Sequence, residues 1–128
     1  MIGYVTLGTN DLPRAAAFYD KIAAAMDIPR MMEEENFIAW GKWDSPAAGI
    51  GLTKPFDGKP QTVGNGVMVA LLANDPDHVK RIYDTALEAG GTCEGKPGPR
   101  GNDGFYAAYF RDLDGNKLNA FCMAQPES

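Results

Sequence analysis

Few side chains in this sequence have the type and spacing that chemistry requires. There is one histidine, His78, in a segment of helical periodicity. It falls off the apolar stripe and is expected to face solvent. A Ser-His-Asp arrangement built on it is implausible, and neither a G-x-S-x-G elbow nor a phosphate-cradling glycine motif occurs. The two cysteines, Cys93 and Cys122, match no metal or redox spacing. A disulfide between them stays open, and a reduced chain is the simpler expectation. Cys122 alternates to the same side as Leu118 and Ala120, so it is expected to be buried as a small inert hydrophobe. Carboxylates for metal-free acid–base work are Glu33, Glu34, Glu35 and Asp103, none with an obvious partner. Arg100 sits in the loop GPRGNDG, where its guanidinium either forks onto a carboxylate or phosphate or stands in solvent.

These residues depend on the elements around them. Phe105–Met123 reads as two apolar strands joined by Asp112, Leu113, Asp114, Gly115 and Asn116. Aspartate and asparagine bond their own backbone and glycine reaches positive φ, so a hairpin is expected. At the other end, Ile2–Leu7 alternates, with Val5 and Leu7 on one side and Tyr4 and Thr6 on the other. Thr9, Asn10 and Asp11 offer helix caps ahead of Pro13. Leu12, Ala16, Tyr19, Ile22, Ala23 and Met26 follow at helical spacing, and Pro29 limits the helix. Arg30–Met32, Phe37–Trp40 and Gly49–Thr53 are short candidate strands. Lys54–Gly66, with two prolines and three glycines, reads as a linker.

The second half repeats the first at an offset of 64. Asn10-Asp11 recurs as Asn74-Asp75, Tyr19-Asp20 as Tyr83-Asp84, and Val5 and Leu7 map to Val69 and Leu71. A shift shared by a strand, a cap and a helix indicates a duplicated unit. The second helix has Pro76 early, a stripe at Val79, Ile82, Tyr83, Ala86 and Leu87, and a Gly90-Gly91 stop. Thr92–Glu94 is a poor strand and Lys96–Gly104 is expected to be a loop. The fold class is therefore α+β, with two βαβββ modules. Module one spans about residues 1–56, the linker about 57–65 and module two about 66–124.

A strand, then D-x-D-G-N, then a short apolar strand near the C-terminus resembles the closing hairpin of the vicinal oxygen chelate superfamily. That group includes glyoxalases, extradiol dioxygenases and bleomycin-binding proteins. The resemblance implies paired βαβββ modules whose sheets curl around a cavity, within one chain or across a homodimer. It also implies metal ligands on the first and last strands of each module. The histidine positions fall on Tyr4 and Met68, themselves 64 apart, and the carboxylate positions on Gly51 and Asn119. A divalent cation needs three or four imidazole, carboxylate or thiolate donors. This set does not supply them, so neither metal nor cofactor is expected. By strand parity the cavity wall would include Tyr4, Thr6, Thr53, Met68, Ala70, Asn119 and Phe121, with Trp40, Arg100 and Tyr106 or Phe105 adding to it. An apolar and aromatic lining with a few hydrogen-bonding groups suits a small organic molecule.

Composition narrows the partners. The chain has 128 residues, 45% hydrophobic and 23% charged, and a net charge of −5. That acidic balance argues against nucleic acid or an anionic membrane. No apolar run approaches the ~20 residues that span a bilayer, and no secretory signal is visible at the N-terminus. The expectation is a cytoplasmic homodimer that binds a small organic molecule without the family's metal. A glyoxalase-type lyase or dioxygenase, and a module whose own side chains fill its cavity, are the alternatives.

Overall fold

The computed structural model describes residues 1–124. The elements run β1 (Tyr4–Gly8), α1 (Leu12–Ala25), β2 (Arg30–Glu33), β3 (Phe37–Trp40), β4 (Gly49–Thr53), β5 (Val69–Leu72), α2 (Pro76–Glu88), β6 (Thr92–Pro99), β7 (Phe105–Arg111) and β8 (Lys117–Met123). They form two four-stranded mixed sheets of matching order, β1-β4-β3-β2 and β5-β8-β7-β6. β1 pairs parallel with β4 and β5 with β8; the remaining pairs are antiparallel. Each module is thus β-α-β-β-β, as the repeat predicts.

Each helix starts where its cap and proline place it. Asp11 accepts from the Arg14 N–H at 3.1 Å, and Asp75, 64 residues on, accepts from the His78 N–H at 2.8 Å. α1 ends four residues before Pro29. Asp27 adopts φ 58° there, and the Ile28 N–H closes back onto the Ala23 carbonyl. Leu12, Ala16, Tyr19, Ile22 and Ala23 are buried beneath α1; Val79, Ile82, Tyr83 and Ala86 are buried beneath α2. Opposite them lie Leu7, Ile38 and Leu52 in one sheet and Phe110, Leu118, Ala120 and Cys122 in the other. Each fully buried valine, leucine, isoleucine or phenylalanine contributes roughly 1.5–3 kcal/mol. Both cysteines are free thiols, with Cys122 buried as its strand parity requires and Cys93 exposed.

One sheet face is therefore covered by a helix and the other is open. Between modules, α1 against α2 is the main packing of regular elements among the described residues. The open face of one sheet does not close over the open face of the other within the chain.

Two expectations are corrected. Thr92–Pro99 forms one strand where a poor strand and a loop were expected. It is the sheet's edge, and its pairing with β7 is irregular between Cys93 and Gly95 and between Gly95 and Gly98. An edge tolerates Pro97 and Pro99, and bulges take up the glycines, so composition misread it. His78 is buried, not exposed. Its Nδ1 accepts from the Asn74 N–H at 3.0 Å and its Nε2 lies 2.7 Å from the Ala25 carbonyl oxygen. The neighbouring helix end covers a side chain that faces solvent on an isolated α2.

Candidate functional site

Strand register decides which side chains reach the open faces. Thr6 pairs with Gly51, and Ala70, at the 64-residue offset, pairs with Asn119. Gly51 and Asn119 are therefore equivalent positions in the two modules. On the first sheet the open face carries Tyr4, Thr6, Phe37, Ala39, Gly51 and Thr53. The Tyr4 and Phe37 rings meet edge-on, with centroids 6.3 Å apart. Thr53 donates its hydroxyl to the Lys54 carbonyl at 2.8 Å and borders an open cleft beneath Phe56 and Pro60.

The Phe37 ring lies across Gly51. A β-carbon built at residue 51 would come 2.6 Å from two ring carbons. No carboxylate could project from this position without displacing that ring. The close approach, not the backbone φ, favours glycine here.

On the second sheet, Asn119 stands between Ala70 and Tyr109, its partners across the strands. It is only 2% exposed, and among the described residues its Oδ1 has no hydrogen-bond partner. An unsatisfied buried amide oxygen costs about 1–3 kcal/mol. Phe121 and Phe105 flank it on the same face, with ring centroids 5.7 Å apart. Met68 lies just before β5 and is 39% exposed. Arg100 does not stand in solvent. Its Nη1 donates to the Gly98 carbonyl and its Nη2 to the Lys96 carbonyl, and the guanidinium lies 5.6 Å from the Tyr109 ring.

Trp40 and Tyr106 take the other face, a correction to their expected place on the cavity wall. Trp40 is buried against Tyr19 of α1, and its indole N–H donates to Asp20 at 2.9 Å. Tyr106 pairs with Cys122 and packs on the core; Phe105 takes the open side. Tyr4 and Thr53 thus share one open face while Met68 and Asn119 share the other, and the chain does not bring the two sets together. Strand parity could have assigned Trp40 from Ile38, which shares its side.

The family's divalent metal does not fit these residues. Among the described residues no three of His, Cys, Asp and Glu converge on one point. Tyr4, Gly51, Met68 and Asn119 are a poor donor set, one of them contributing no donor and lying under a phenyl ring.

A polar anchor joins the modules. Asp112 Oδ1 accepts from the Asp114 and Asn116 N–H groups, each at 2.9 Å, while its Oδ2 accepts from the Asn116 amide at 3.0 Å and the Tyr19 hydroxyl at 2.7 Å. The Asn116 amide also donates to the Gly8 carbonyl, and Asp114 accepts from the Asn10 N–H. Gly115 closes the turn at φ 89°. Burial, then the Asp112 carboxylate, push the Tyr19 phenol well above its ordinary pKa.

Two βαβββ modules, each with a helix-backed sheet and an open face, define a protein of the paired-module class. The family model described as Glyoxalase/Bleomycin resistance protein/Dioxygenase superfamily matches residues 1–120. The chain belongs to that superfamily. Among solved structures it is similar to a glyoxalase/bleomycin resistance protein from Albidiferax ferrireducens T118, with 34% identity, TM-score 0.85, and 98% of this chain and 99% of that one covered. A family enzyme from Burkholderia phytofirmans PsJN shares the fold at 18% identity and TM-score 0.75, covering 94% and 97% of the two chains. Lactoylglutathione lyase from Agrobacterium tumefaciens does so at 20% identity and TM-score 0.67, covering 95% and 92%. No curated protein matches the sequence.

Proposed function

We propose that this protein binds a small organic molecule on the open sheet faces, without the family's metal, as a cytoplasmic homodimer. The observation that carries the reading is Asn119. A buried amide oxygen with no partner, set among Phe105, Phe121 and Tyr109, suits a ligand that supplies an N–H or O–H. Phe37 over Gly51 supports the metal-free part, because it occupies the space of a ligand carboxylate. The dimer is supported by β1 and β5, each paired on one side only, and by apolar residues near those edges, with Leu72 66% and Tyr4 63% exposed. A second copy would cover faces that one chain leaves open. Two free thiols suit a reducing compartment.

The test is native mass spectrometry with elemental analysis on protein purified without chelator. The expected result is a dimer of the 13.8 kDa chain that retains or saturably binds an organic molecule, with no stoichiometric Zn, Ni, Mn or Fe. Near-stoichiometric metal, with chelator-sensitive turnover of the methylglyoxal–glutathione adduct, would overturn it in favour of a lyase. Sedimentation of only the 13.8 kDa species at micromolar concentration would remove the dimer.

A further inference from the structure

On the first module a cavity of about 340 Å³ opens over the outer part of the sheet, bounded by the loop between β3 and β4. Its size falls in the range of small-molecule sites. The walls are aromatic and thioether: Tyr4 and Phe37 from the sheet, Met31 and Met32 from β2, and Trp43 from the loop. Trp43 is 74% exposed, so its indole is available to a ligand and is not committed to the core. Flat rings are favoured by such walls, through stacking and through sulfur–aromatic contact.

The polar part of the lining has one sign. The chain carries 17 acidic against 12 basic residues, yet the cavity lining contains no carboxylate and one ammonium, Lys42. Lys42 forms no ion pair among the described residues. Ser45 also lines the cavity; its Oγ accepts from the Ala47 N–H at 3.1 Å, which leaves its proton free to donate. Lys42 precedes Trp43 directly and Ser45 follows two residues on, past Asp44, which is not part of the lining, so two donors and the exposed ring line one cavity.

We infer that this cavity takes a planar aromatic carboxylate, its ring between Trp43 and the Met31–Met32 pair and its carboxylate on Lys42 and Ser45. This goes beyond the small-molecule reading above, whose key residue Asn119 lies on the other sheet, and rests on it only in the general claim that the protein binds small molecules. Of the cavity's walls only Tyr4 stands at a strand position assigned to the family's metal ligands; Trp43, Met31, Met32, Lys42 and Ser45 lie off those positions.

The test titrates the full-length protein with 2-naphthoate and with its neutral counterpart, 2-naphthalenemethanol, by calorimetry and tryptophan emission. Naphthoate is expected to bind one site per chain, about fivefold tighter than the alcohol, the size expected of one partly solvated ion pair. Lys42→Gln should erase that preference. Trp43→Ala, at an exposed position that folding does not need, should weaken both compounds by about tenfold. Equal binding of the two compounds, unchanged in Lys42→Gln, overturns the carboxylate class and leaves small-molecule binding standing. Binding unaffected by Trp43→Ala overturns the cavity as the site. Binding of neither compound overturns the inference outright; the wider reading falls with it only if mass spectrometry also finds no bound molecule.

Discussion

The Tyr19 hydroxyl donates to Asp112 Oδ2 at 2.7 Å across 93 residues of sequence, in the buried seam between the modules. The phenol belongs to the first helix and the carboxylate to the last hairpin turn. Tyr83, the repeat's counterpart of Tyr19, has no such partner among the described residues and contacts the Cys93 thiol, which with burial lifts its pKa to about 12. The duplication is therefore symmetric in fold and asymmetric in its polar anchor.

Replacing Tyr19 with Phe should lower stability by about 1–3 kcal/mol, the cost of removing one partner from a buried bond to a charged group. Denaturant midpoints would show it, with an unchanged slope.

The same tyrosine sets an alkaline limit. Its folded pKa is raised, so the folded state holds the proton longer than the unfolded chain, whose tyrosines ionise near pH ~10. The stability it contributes is complete below that pH and is lost as pH rises beyond it. Unfolding free energy should fall as pH rises above about 10, and less steeply in Tyr19→Phe. Equal slopes in the two proteins would disprove the linkage.

Gly51→Ala should force the Phe37 ring aside and cost about 1 kcal/mol, the low end for overpacking because the ring tip is free to swing. In Phe37→Ala the same substitution should cost nothing measurable. A double-mutant cycle reads the coupling directly; additivity would mean that the ring does not lie over residue 51.

Asn119→Leu should raise stability by about 1 kcal/mol, because an apolar group of similar size replaces an unsatisfied oxygen. It should also abolish binding of any molecule held against the second module's open face. A lower melting temperature would show that the oxygen has a partner in the free protein, and would remove the observation on which the ligand reading stands.

Local rules carry far in this chain. Asp11 and Asp75 cap the helices, D-x-D-G-N closes the hairpin, and an offset of 64 aligns Thr6–Gly51 with Ala70–Asn119. Each depends on neighbours a few residues away or on strand parity, so the sequence alone determined the two βαβββ modules. The tertiary structure decided the rest. Trp40 and Tyr106 turned to the helix side, His78 went under the end of α1, and Met31, Met32, Lys42 and Trp43 gathered around a cavity. Burial depends on which distant element covers a residue, and no local periodicity records that. The Tyr19–Asp112 bond shows the same limit: each side chain suits its own element, and only the packing of α1 against α2, with the turn folded onto the β1–α1 loop, brings them within 2.7 Å.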